Sequence, residues 1–150
     1  MTKKNYLPVY TLSEELINSI SHGVGTCLSI AALVLCIVQA AVNGTAAGVV
    51  SACIYGVSLT MLYIMSTLYH AITNRTARKV FRVFDHTSIF FLIAGTYTPI
   101  TLVTLGGALG WTLFGIVWAA AIVGIVLNAV SIEKFKKFSM ICYVCMGWAA

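Results

Sequence analysis

The sequence predicts an all-α membrane protein, a bundle of transmembrane helices, and three observations carry that prediction. Hydrophobic residues make up 60% of the 150-residue chain and charged residues 9%, with a mean hydropathy of +0.97. A water-soluble domain of this size neither needs so much apolar residue nor can cover it with so little charge. The apolar residues fall in long runs, several close to the ~20 residues that a helix needs to cross a ~30 Å hydrocarbon core. All nine Lys and Arg lie in three short segments before or between those runs. This is the distribution of the positive-inside rule and not the basic face of a folded, soluble nucleic-acid binder. The net charge of +5 therefore points to a lipid bilayer as partner and away from nucleic acid.

Residues 1–10 form a short polar tail, expected to be mobile. Lys3 and Lys4 are followed by polar sequence, so no cleavable signal peptide is visible and the first span is expected to act as the insertion signal. Thr11-Leu12-Ser13-Glu14 has the Thr-x-x-Glu form of a capping box, so a helix starts there. Leu12, Leu16, Ile17 and Ile20 share one face of it, with Glu14, Asn18, Ser21 and His22 mostly away from that face. The pattern predicts an interfacial amphipathic helix over residues 11–22 that leads into the first span; a simple juxtamembrane helix explains the pattern as well and, on pattern alone, is the favoured alternative.

The spans then follow in order. Residues 24–42 are just long enough to cross at ~1.5 Å per residue, and Asn43-Gly44 is a tight, uncharged turn. Residues 46–69 form the second span, and a basic connection follows with Arg75, Arg78, Lys79 and Arg82. Residues 84–105 form the third span, in which Pro99 frees the Gly95 carbonyl and allows a kink. After an uncharged turn at residues 106–110, residues 111–130 form the fourth span, with Trp111 suited to an interface. A second basic connection carries Lys134, Lys136 and Lys137. Residues 138–150 open a fifth span, but their length of about 20 Å falls short of a ~30 Å core. The expected architecture is thus four complete spans and the start of a fifth, part of a longer bundle. The alternation of basic and uncharged connections places the N terminus and both basic connections in the cytoplasm.

That threading puts His22, Ser66, His70, Asp85 and His86 at one depth, near the inner face. An ionisable group inside a span is costly and by default suggests function. Ser66 and His70 are four apart and share a helical face. A neutral imidazole can bind zinc, with a nearby hydroxyl orienting a metal-bound water or a carboxylate. A single interfacial His hydrogen-bonded to backbone or a lipid headgroup explains the spacing as well, and on spacing alone is the favoured alternative. Asp85 lies about one turn inside the third span. It is either an interfacial carboxylate paired with the preceding cations or favoured by the helix dipole, or a group that holds and deprotonates a metal-bound water. His86 points about 100° away from Asp85 on an ideal helix and is assigned no role in the site. Glu15, Asn18 and His22, at offsets of three and seven, share one face. Cys142-x-x-Cys145 has a redox-type spacing, but in an apolar helix its cysteines are expected to act as small hydrophobes. The five cysteines are odd in number and all lie in apolar runs, which predicts no disulfide framework.

Glu15-x2-Asn18-x3-His22, then Ser66-x3-His70 within STLYH, then Asp85-His86 within FDHTSIFFLIAGTYTP, resemble the bacterial haemolysin III branch of the progestin and adiponectin-receptor (PAQR) family. The resemblance covers almost the whole chain from about Glu14. It implies a seven-helix protein of the bacterial inner membrane with a cytoplasmic N terminus. It also implies that His70 is a zinc ligand, that Asp85 holds the zinc-bound water and that Ser66 supports it. The family's remaining ligands are a His-x3-His pair on a seventh helix, and this sequence has no His after His86. A lone imidazole and one carboxylate do not make a tight zinc site.

Three functional readings follow. The first is a zinc-dependent membrane hydrolase of lipid amides, or the N-terminal part of one, with a lipid as substrate. The second is a pore-forming cytolysin or channel, against which stands the absence of a polar stripe through the spans. The third is an inserted but inactive piece, unable to hold zinc tightly by itself. Oligomeric state is not legible in the sequence.

Overall fold

The computed structural model of the chain describes residues 7–149; residues 1–6 of the expected mobile tail lie outside the described part. Four helices follow one another: α1, Leu12–Asn43; α2, Ala46–Ala71; α3, Arg75–Pro99, prolonged by a π-helical turn at Ile100–Leu105; and α4, Gly107–Gly147. Each is long and apolar enough to cross a bilayer, and no strand occurs among the described residues.

The helix starts follow from side chains that satisfy otherwise unpaired N–H groups. Thr11 and Glu14 form the reciprocal capping box: the Thr11 hydroxyl accepts the Glu14 N–H at 3.3 Å and the Glu14 carboxylate accepts the Thr11 N–H at 2.7 Å. The Thr11 N–H, and then its hydroxyl, hold the exposed Glu14 carboxyl below its ordinary pKa. Thr45 caps α2 through the Gly48 N–H, and Asn74 caps α3 through the N–H groups of Thr76 and Ala77.

The element boundaries differ from the sequence expectation in three places. Residues 12–22 and 24–42 belong to one unbroken helix, so the polar first turns continue the axis of the first span rather than turning off it. Side chains on those turns are tied to α2, as described below, and this holds the two segments in line. The first basic connection is helical, because α3 begins at its Asn74 cap and not at residue 84. The second basic connection is helical too, and the break precedes it. Ser131 has extended backbone (φ −165°, ψ 105°), and its hydroxyl accepts the Lys134 N–H at 3.3 Å, capping a second arm of α4. At Pro99, the proline cannot continue the α-helical hydrogen-bond ladder. The chain widens there into the π-helical turn, closed by the Gly106 N–H on the Thr101 carbonyl at 3.0 Å.

The helices pack in chain order: α1 on α2, α2 on α3, α3 on α4. The core lies around α3, where Phe90, Ala94 and Tyr97 meet Val117 and Ala121 from the first arm of α4 and Met146 from the second. Lipid is as apolar as these side chains, so close approach and small residues hold such helices together rather than a hydrophobic driving force. Ser29, Ser51, Ser58, Ser66 and Ser88 are all buried between helices. The Phe90 ring fills the space that a side chain on Gly124 would need. Outward-facing Leu28, Leu35 and Val130 are about two-thirds or more exposed, as expected of a surface meant for acyl chains.

Gly124→Leu forces the Phe90 ring aside, and overpacking of this kind costs about 1–3 kcal/mol. A lowered thermal midpoint in detergent micelles is expected for it. Gly115→Leu, directed into open space, leaves the midpoint unchanged.

Candidate functional site

The polar residues of the spans gather where α1 begins, α2 ends and α3 begins. Because α1 and α2 are antiparallel, the first turns of one lie beside the last turns of the other. The Glu15/His22 face of α1 therefore meets the Ser66/His70 face of α2 in reversed order. His22 Nδ1 and Ser66 Oγ share a hydrogen bond of 2.5 Å, and His70 Nδ1 donates to Glu15 Oε2 at 2.7 Å. The two imidazoles stand edge to face, with centroids 6.3 Å apart. Tyr69 and Tyr10 complete the enclosure of the His70 ring, at 4.7 and 5.5 Å between centroids.

Glu15 is the pivot of this arrangement. Its Oε2 takes His70 and its Oε1 is ion-paired with Arg78 from the first turn of α3. The carboxylate side chain is 14% exposed and the His70 side chain 8%. A charge so enclosed persists only when paired, and here both oxygens are taken. Arg78 lies in turn over the Tyr69 ring, 5.3 Å from its centroid. One side chain on α1 thus links α2 and α3. The carboxylate can only accept, so the His70 proton in this bond is on Nδ1, and in the neutral ring Nε2 carries a free lone pair.

Asp85 is half-buried in α3, with Oδ2 3.4 Å from His86 Nδ1. The Ser66 hydroxyl, expected to support Asp85, is engaged by His22 instead. The antiparallel register of α1 and α2 is the reason, since it sets His22 opposite Ser66. His86 presents its backbone carbonyl to the Tyr143 hydroxyl at 3.0 Å. Asn18 is half-buried on the same face of α1, and its carbonyl accepts the Ser21 hydroxyl. Cys142 and Cys145 are free, like the other three cysteines.

Two further contacts were not signalled by any motif. Arg82 Nη2 meets Glu133 Oε1 at 2.5 Å and joins the two basic connections. Buried Asn128, at the end of the first arm of α4, accepts the Ser139 hydroxyl at 2.9 Å and donates to the Tyr143 hydroxyl at 3.5 Å. An Asn inside a span could have been flagged as costly and therefore partnered.

For a metal, the donor set fits in part. An imidazole whose Nδ1–H is held by a carboxylate is the usual condition of a metal-ligating His, and His70 meets it. Among the described residues, however, no three His, Cys, Asp or Glu side chains are grouped to hold an ion.

Comparison with known proteins gives a consistent result. A family model described as "Haemolysin-III related" matches residues 10–150. The chain is 47% identical to Hemolysin-3 of Bacillus cereus over 148 residues, 99% of this chain and 68% of that protein. It is 46% identical to the Hemolysin-3 homolog of Bacillus subtilis (strain 168), over 93% of this chain and 66% of that protein. It is also 30% identical to the human monocyte to macrophage differentiation factor over 105 residues, 67% of this chain and 44% of that one. The chain thus spans about two thirds of the length of the Bacillus relatives. No solved structure matches it.

In ¹⁵N-labelled protein, neutral His70 is expected as the Nδ1–H tautomer in the wild type and to lose that preference in Glu15→Ala. A wild-type ring protonated at Nε2 instead would contradict the Glu15–His70 bond.

Proposed function

Because this chain belongs to the haemolysin-III-related family of helical membrane proteins, we propose that it supplies one zinc ligand and the proton acceptor of a zinc-dependent hydrolase of lipid amides. The observation that carries the reading is the Glu15–His70 bond: it fixes the ring at Nδ1 and leaves Nε2 as a lone-pair donor. His70 would hold the ion directly. Zinc, when bound, polarises a carbonyl and lowers the pKa of bound water.

The chain's own residues do the rest. Asp85, the half-buried carboxylate of α3, would accept a proton from a water bound at the site. Glu15, shared with Arg78, keeps the His70 ring from rotating. Ser66 acts through His22, steadying the second imidazole beside the first. A catalytic zinc ion takes three protein ligands and an open position. The resemblance assigns the further ligands to a His-x3-His pair that this sequence does not contain. The same reading places the basic end of the bundle in the cytoplasm and the protein in the bacterial inner membrane. The side from which a cysteine at Lys136 is labelled checks that placement.

The name of the Bacillus relatives favours a second reading, membrane permeabilisation. Buried hydroxyls do run through the bundle, but Ser29, Ser58, Ser88, Thr98 and Thr101 each donate to a carbonyl of their own helix. Their protons are spent within their own helices, which leaves no row of free donors along the bundle among the described residues, so the hydrolase reading is preferred.

Metal analysis is the test. The 150-residue chain is expected to hold clearly substoichiometric zinc. A version extended to the length of the Bacillus relatives should hold one equivalent, lose it in His70→Ala, and hydrolyse a ceramide. Asp85→Asn should keep the zinc and lose activity by at least ~10²-fold, the usual scale for a proton-transfer residue. An extended version with no zinc, or one unaffected by His70→Ala, overturns the reading.

A further inference from the structure

A second polar site lies away from the histidines, at the elbow of α4. Around the Ser131 break, residues 128–134 and the first turns of α3 enclose a partly open cavity of about 570 Å³. Its charged lining is Lys79, Arg82, Glu133 and Lys134, and its apolar lining includes Val83, Val130 and Ile132. Three cationic residues and one carboxylate line it; the carboxylate is taken by Arg82 at 2.5 Å, and the exposed Lys134 ammonium rests 5.4 Å from the Phe135 ring, free to swing to an anion. The cations come from both basic connections, joined at this point by the Arg82–Glu133 pair. The cavity sits at the end of the bundle where Lys and Arg cluster.

We propose that this elbow cavity binds the phosphate of an anionic lipid headgroup. Lys79 and Lys134 supply the charge, and the Val and Ile side chains receive the start of the acyl chains. A cleft with one apolar wall and a basic rim at a helix end is suited to such headgroups. A lysine ammonium recognises phosphate as a point charge, needing no fixed geometry. Arg82 stays with Glu133 and shapes the rim. Nothing in this assignment depends on zinc, so it stands or falls apart from the hydrolase reading.

The test is native mass spectrometry of the purified protein titrated with phosphatidylglycerol or phosphatidylcholine in micelles. One phosphatidylglycerol is expected to be retained in preference to phosphatidylcholine. Lys79→Gln/Lys134→Gln should weaken retention by roughly 30-fold, the scale for two surface cations near an anionic headgroup. Lys79→Arg/Lys134→Arg should keep it. Lys136→Gln/Lys137→Gln removes the same charge outside the cavity and should leave retention within about twofold, since only the general surface attraction changes. Equal loss in the two Gln pairs, or no preference over phosphatidylcholine, overturns the proposal. Displacement of the lipid by millimolar inorganic phosphate reassigns the cavity to a soluble anion and also overturns it; persistence of the lipid supports it.

Discussion

One carboxylate, Glu15, sets the geometry of the polar end of this bundle. It sits on α1, orients an imidazole on α2 and neutralises a guanidinium on α3. In water such contacts would contribute little. At the end of a membrane bundle the groups are largely shielded from water, and leaving any one of them unpaired is costly. That cost enforces the register. With Glu15 opposite His70, the heptad-like offset on α1 brings His22 opposite Ser66, and the two imidazoles come to face each other. The continuity of α1 through residues 12–43 follows from the same constraint, because its first turns are held against α2.

The apolar part of the bundle serves to keep those helix ends at a common depth. Buried serines and glycines let α1, α2 and α3 approach closely, and Phe90 over Gly124 locks α3 against α4. The chain reverses at Ser131, and the Asn128–Ser139–Tyr143 contacts then set the second arm beside α3 at the level of His86. Both basic connections therefore end up at the same end of the bundle as the histidines, joined by Arg82 and Glu133.

Much of this was legible in the sequence. Hydropathy located all four long helices, since a bilayer leaves a polar chain no other way to satisfy its backbone. The capping box at Thr11 marked the start of α1 to the residue. That His22 and Ser66, and His70 and Glu15, lie at one end of the helical bundle agrees with the threading read from the cations. Who pairs with whom did not follow. Spacing shows which residues share a face of one helix, but it carries no information on the register between two helices. The Ser66–His22 and Glu15–His70 partnerships were therefore invisible, and Ser66 was paired with Asp85 by resemblance. The break at Ser131 was hidden for another reason: an extended serine between Val130 and Ile132 has no proline or glycine beside it to announce it. The helical course of the basic connections escaped for a third reason, because charge density in a loop-length segment says nothing about backbone conformation once a cap such as Asn74 is present.

The central claim is that Glu15 and His70 act as one unit. A double-mutant cycle on unfolding in mild detergent, with Glu15→Ala, His70→Ala and the double variant, tests it most directly. A coupling of about 1.5–3 kcal/mol, the range for a hydrogen bond to a charged group, is expected between the two positions. Additive single-variant effects, within the few tenths of a kcal/mol typical of independent sites, would contradict the account.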